Sequence, residues 1–311
     1  MTDIIGFENF ADEVRTAMEL RYPDDRVELK RVTKNNGVIY TGITVCGEDE
    51  RVYPTMYLEP FYEEAGEEGL TEELIDRMCG IYESHRVGNT LSLEHLKDYG
   101  AVKDRLRCRL INYEANAGRL EEIPHRRFLD LAIVPHCMIR ECELNRRIAG
   151  EASFVVTNVN LKLWGVTGDE VLEDSIGNTL REEDPQITCM FDMLKTLNPG
   201  LAEASEDEIR NCPMYVMTTG SSNGAISMIY EDRLREFCDK IGRDIYIIPS
   251  SISEVIIVPY EEGASEEMFN EMIREINETQ LERVDILSDH VYYFDRSLGF
   301  SEPAVKVKKA S

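Results

Sequence analysis

The chain has 311 residues, and 60 Asp+Glu against 34 Lys+Arg give it a formal charge of −26 at neutral pH. That excess argues against direct nucleic-acid binding, because gripping phosphates rests on clustered cationic side chains. A composition of 42% hydrophobic and 30% charged residues is that of a folded globular protein, long enough for two domains or one large mixed domain.

In chain order, Ile4, Phe7, Phe10, Ala11, Val14 and Met18 recur at helical steps and predict an opening helix that ends at Tyr22-Pro23-Asp24-Asp25. A hairpin follows, with Asn36-Gly37 supplying the positive backbone angles of its turn. A third strand is expected around Pro54, at an edge because proline has no amide to donate. The acidic run Glu63 to Glu73 leads into a helix written by Leu74, Met78, Ile81 and Tyr82, and another helix is read from Val102, Leu106, Leu110 and Ile111. The stretch from Ala117 to Pro124 is the expected domain boundary.

Beyond it, residues 126–139 and 152–165 read as strands, and Thr167 to Glu170 as the capping box of a helix. Residues 214–219 and 225–230 read as a hairpin leading into a helix over 231–242. Residues 244–251 and 254–260 read as another strand pair leading into a helix over 265–279. The order strand, strand, helix is thus written three times, and residues 290–296 add a last strand. The expectation is an α+β fold of mainly antiparallel sheets, built from these repeated units with helices packed on one face. The domains would be 1–120 and 121–300, followed by a flexible tail over 301–311 carrying Lys306, Lys308 and Lys309.

At the N-terminus, Asp3, Glu8, Asp12 and Glu13 stand where a secretory leader needs a cationic start and an apolar run, so no leader is expected. No window approaches the roughly 18 apolar residues of a membrane span. The eight cysteines Cys46, Cys79, Cys108, Cys137, Cys142, Cys189, Cys212 and Cys238 lack paired short spacing and read as reduced thiols in a cytoplasm. His136, Cys137 and Cys142 come nearest to a zinc pattern, but a second close pair is missing, and no metal or cofactor is expected.

No Walker-type loop, Gly-x-Gly-x-x-Gly or His-Glu-x-x-His occurs. Gly220 to Gly224 superficially resembles a phosphate nest, yet its residues are those of a hairpin connection. Ser250, Ser251 and Glu254 sit on the connection between two strands, where hydroxyls commonly satisfy loop amides but where function also concentrates. Asp130 is harder to account for: a carboxylate among Phe128, Leu129, Leu131 and Ile133 must face solvent, find a donor such as Arg126 or Arg127, or serve a site. Convergence with His125 or His136 would make an acid/base or metal-assisted hydrolytic site.

The runs KNNGVIYTG, PTMYLEPFY, LINYEAN, PHRRFLDLAIV, MYVMTT with GAISMIY, and PSSISEVIIVP jointly resemble a family of uncharacterised bacterial proteins, found mainly in anaerobic gut bacteria and catalogued as a domain of unknown function. The resemblance spans about Val27 to Arg296 and implies no activity. In that family the position of Ser253 is often histidine, so this chain's departure speaks against catalysis at the turn. Trp164 to Asn178 and Gly224 to Pro249 also resemble a second uncharacterised bacterial group, implying a shared α+β body. Together these observations lead to a cytoplasmic, non-enzymatic binding or regulatory protein that meets a basic protein partner through acidic surfaces. The alternative is a hydrolase-type enzyme using Asp130 with His125 or His136, or the Ser250 to Glu254 turn.

Overall fold

The computed structural model of the chain describes residues 4–47, 55–85, 96–139, 152–197, 214–263 and 265–301. Pro54, Cys142, Cys212 and the lysines of the tail lie outside them. The chain divides into two compact units, Met1–Asp98 with Met138–Ser153, and Tyr99–Cys137 with Phe154–Ser311.

In the first unit, helix α1 (Ile4–Arg21) covers an antiparallel sheet of β1 (Arg26–Thr33), β2 (Ile39–Cys46) and β3 (Met56–Tyr57), joined by α2 (Glu59–Ala65) and α3 (Glu72–His85). The predicted stripe of α1 is the face it buries: Phe10, Ala11, Val14 and Met18 pack with Ile43, Val45, Leu74, Met78 and Tyr82. The Tyr82 hydroxyl donates to the Val45 carbonyl, 3.1 Å away, which satisfies the one polar atom of that buried ring. The β1–β2 turn forms at Asn36 and Gly37, with φ of 56° and 68°. Of the expected third strand, the described residues show Met56–Tyr57 paired with β2 before the chain turns into α2.

The second unit stacks two antiparallel sheets. One contains β4 (Leu106–Asn112), β5 (Arg126–Phe128) and β6 (Leu131–Ile139) in the order β4-β6-β5, with β7 (Ala152–Val155) also pairing with β6. The other is six-stranded, with β8 (Gln186–Cys189), β9 (Tyr215–Thr218), β10 (Ile245–Ile248), β11 (Val255–Pro259), β12 (Tyr292–Asp295) and β13 (Gly299–Phe300) in the order β13-β12-β10-β11-β9-β8. Cys108, Leu110, Leu131 and Ile133 from the first sheet share one apolar layer with Met217, Ile245, Ile247, Val255, Ile257 and Phe294 from the second. Alternation along the strands sends Ile111, Ala132 and Val134 to the opposite face, under Leu120 of α5 (Ala117–Leu120).

The class is α+β, but the strand-strand-helix unit is not written three times: β10 and β11 pair and lead into the helix Glu266–Thr279 as expected, whereas the two preceding units form differently. Residues Gly224–Ile229 are a 3-10 helix, all of Gly224 to Met228 buried, and an apolar run wet on no side carries no period by which strand and helix differ. Residues Asn158–Trp164 form helix α6 rather than continuing β7, capped by Thr157 and Asn160. Their alternating Val159, Leu161 and Leu163 imitate a strand, yet Val159 and Leu163 point outward at 73% and 54% exposure. Leu106 and Leu110 lie on β4, because a spacing of four suits both periods. The six-stranded sheet has helices on both faces rather than one: α9 (Glu231–Ile241) adds Leu234 and Cys238 to the inner layer, and α10 (Glu266–Thr279) sets Ile273 against Tyr246 and Ile248 outside.

Helix α7 (Gly168–Glu182) begins at the predicted capping box, the Thr167 N–H donating to Glu170 Oε2 and the Glu170 N–H to Thr167 Oγ1. Its buried face is polar for a reason: Thr179 Oγ1 accepts from the Cys108 N–H at 3.0 Å, and Asn178 Nδ2 donates to the carbonyls of Lys103 and Leu106. Where β9 leaves the sheet, a Cβ at Gly224 would collide with Thr218 Oγ1 and the Ser253 carbonyl. Gly224→Ala is therefore expected to destabilise the fold by about 2 kcal/mol, the usual scale of overpacking, measured by urea unfolding.

Candidate functional site

Asp130 sits at the β5–β6 turn, where Leu129 takes a left-handed φ of 58° and its carbonyl accepts from Arg127 Nε at 2.9 Å. The turn presents the carboxylate to the segment entering β12. There Ser288 Oγ donates to Asp130 Oδ2 at 3.0 Å and the Tyr292 hydroxyl donates to Oδ1 at 2.6 Å. His290 stands between them, Nε2 3.7 Å from Asp130 Oδ1, and its ring meets Tyr292 edge-on at 5.1 Å. Nδ1 of His290 lies 3.1 Å from both Ser288 Oγ and Asp289 Oδ1. With the serine hydrogen given to Asp130, the consistent tautomer carries its proton on Nδ1, leaving Nε2 buried and without a partner. Asn112 Nδ2 and Asn277 Nδ2 hold the carbonyls of Leu287 and Ser288, so the segment is pinned from β4 and from α10.

Burial, with the charge of Asp130 beside it, raises the Tyr292 phenol well above the ordinary tyrosine range. Ser288 is 1% exposed and hydrogen-bonds directly to the carboxylate. In a serine hydrolase the hydroxyl bonds to the imidazole Nε2 and the acid holds Nδ1. This arrangement is different: acid, serine, histidine and tyrosine form a closed polar knot. Asp130→Ala would strand the buried hydroxyls of Ser288 and Tyr292, an expected loss of about 3 kcal/mol in chemical denaturation.

The other sequence candidates do not join this knot. His125 Nδ1 lies 2.8 Å from the Ile123 carbonyl, and its ring meets Tyr113. His136 lies toward the far end of β6, opposite Arg107 on β4, about 20 Å along the strand from Asp130 at 3.3 Å per residue. Ser250, Ser251 and Glu254 stay within their turn. The Ser250 N–H donates to the Ile248 carbonyl, the Ser251 N–H to the Glu254 carbonyl, and Ser251 Oγ accepts from the Ser253 N–H. Ser253 Oγ in turn donates to the Ser222 carbonyl, tying this turn to the Gly220–Gly224 loop.

That loop also has Gly-x-Ser-x-Gly spacing, a signal overlooked in reading it as a hairpin. Ser222 at its centre has no positive φ, its hydroxyl accepts from Asn223 Nδ2, and among the described residues no histidine contacts it. Among the described residues no three His, Cys, Asp or Glu side chains are placed to hold a metal ion, and Cys137 and His136, adjacent on a strand, face opposite ways. Ser288, His290 and Tyr292 were missed by sequence reasoning. Their signal is present: three polar side chains two residues apart in the segment that leads into β12.

His136 is 4% exposed, and burial together with the guanidinium groups of Arg109 and Arg107 drives it down to about 3. The unfolded chain takes up this proton near pH 6.5 while the fold refuses it. The group's contribution to stability is thus complete above pH 6.5 and is lost as the pH falls toward 3, up to about 5 kcal/mol in all. His136→Gln is expected to remove that part of the acid slope, read from urea melts at a series of pH values.

One surface stands apart. Helix α10 docks through Ile273 and Phe269, and Asn270 Oδ1 accepts from the Val291 N–H at 2.8 Å. Its outer side exposes Met268, Met272 and Ile276 at 60%, 40% and 39%, in a row four residues apart. Glu267, Glu271 and Glu275 form a second exposed row alongside, with Glu278 a turn further. Only Glu267 is met by the helix's one cation, Arg274, at 3.0 Å.

The fold and this constellation define an α+β protein of stacked antiparallel sheets with a polar knot at one end of the stack. The chain belongs to a family described as "Family of unknown function (DUF5688)", whose model matches residues 7–296. No curated protein and no solved structure matches it significantly. Among the described residues no helix is long and apolar enough to cross a membrane.

Proposed function

We propose that this is a non-enzymatic binding or regulatory protein that captures a basic amphipathic segment of another protein along α10. The observation that carries the reading is the exposed row of Met268, Met272 and Ile276 bordered by carboxylates. Methionine's flexible, polarizable side chain adapts to varied apolar surfaces, and a helix laid along such a row needs anchors at the same i, i+4 spacing. The acidic border supplies complementarity for lysine and arginine, and the net charge of −26 speeds encounter with a cationic partner. We place the protein in the cytoplasm, a location supported by Cys46, Cys79, Cys108, Cys137, Cys189 and Cys238 being free thiols.

A second reading, a hydrolase-type site at Asp130, is favoured by the approach of His290 and Ser288 to that carboxylate. It has a buried serine and an acid whose two oxygens each already accept from a hydroxyl, and so it ranks second. The binding reading is tested by titrating a synthetic Lys/Leu amphipathic helix and a scrambled peptide of equal charge, followed by fluorescence anisotropy. The amphipathic peptide is expected to bind more tightly, to weaken with salt, and to lose about tenfold in affinity to the Met268→Asp, Met272→Asp double variant. Equal binding of both peptides, or an unchanged affinity in the variant, would overturn it.

A further inference from the structure

The outward face of the β4–β6 pair holds cations that neither the knot nor α10 uses. Register sets Arg107 opposite His136 and Arg109 opposite Val134, so Arg109 and His136 are diagonal neighbours on one face, about 7 Å apart at the backbone. Helix α5 brings Arg119 to the same place, since its neighbour Leu120 packs with Ile111, Ala132 and Val134 of that face. Arg107 is engaged there, donating to the carbonyls of Asp104 and Leu106 and pairing with Glu182. The other three are not. Arg109 Nε and His136 Nδ1 are buried atoms with no hydrogen-bond partner, and no described carboxylate pairs with Arg109 or Arg119.

Such an arrangement is costly, because a desolvated guanidinium without a counter-ion loses hydration and regains nothing. Burial, with the charge of Arg119 nearby, lowers Arg109 to about 10, and burial lowers Arg119 as well. In a chain with 60 acids, two neighbouring arginines that no described carboxylate meets leave their guanidinium donors open to an oxyanion from outside. We propose that Arg109, Arg119 and His136 form a binding site for the oxyanion of a small ligand, a phosphate or carboxylate group. Guanidinium forks match paired oxygens of either group, and the imidazole adds a third nitrogen to the same face. This site is independent of α10 and stands whether or not α10 binds a partner.

The test compares thermal unfolding in phosphate, acetate and chloride at equal ionic strength. Phosphate, acetate or both are expected to raise the melting temperature above chloride, and at ten times its Kd the effective anion favours the folded state about elevenfold. Arg109→Met and Arg119→Gln are expected to abolish the rise. Arg109→Met, by removing an uncompensated charge, should also melt no lower than wild type in chloride. As a readout that needs no variant, the His136 ring in the wild-type protein, followed by NMR, should shift and become easier to protonate as inorganic phosphate or acetate is added. No rise over chloride in either anion, an undiminished rise in both variants, or a His136 ring indifferent to both anions would overturn the proposal.

Discussion

The second unit depends on one contact between its two sheets, the carboxylate of Asp130 gripped by hydroxyls from the segment that enters β12. The apolar layer formed by Cys108, Leu110, Leu131 and Ile133 against the six-stranded sheet supplies the driving force. An apolar layer is non-directional and would tolerate sliding. The bonds from Ser288 and Tyr292 to Asp130, with those from Asn112 and Asn277 to the backbone of Leu287 and Ser288, have direction, and they fix where one sheet sits on the other. The left-handed backbone at Leu129 follows from the same demand, since the turn must aim the next side chain at that segment.

Charge is distributed by location rather than by sum. Acids crowd the outer surface of α10, beside exposed methionines, in contact with solvent. Arginines and a histidine occupy the half-buried outward face of β4 and β6, away from those acids. The two signs of charge thus occupy separate surfaces of the second unit. Its polar knot, by contrast, turns its hydrogen bonds inward, apart from Nε2 of His290.

Features written within a few residues could be read from the chain directly. The stripe of α1, the Asn36-Gly37 turn and the Thr167–Glu170 box each rest on spacings within a helical turn or two, so tertiary packing reinforces them. Segments such as 106–112 and 224–229 defeated pattern reading because their apolar residues suit more than one period, and only the surrounding layers decide between them. Asp130 stood out as an acid in an apolar run, but its hydroxyl partners lie 158 and 162 residues further on. No linear spacing encodes that meeting. The unpaired state of Arg109 and His136 was equally hidden, because it is a property of what surrounds them and not of their own order.

The polar inner side of α7 has an effect that reaches beyond the packing of the helix itself. β4 is the outermost strand of its sheet, and a strand in that position ordinarily offers its amides to any extended peptide, which is how many proteins begin to polymerise. Here Thr179 already occupies the amide of Cys108, and Asn178 the carbonyl of Leu106. A foreign strand laid along this border would find two of its pairing points already taken, one by Thr179 and one by Asn178.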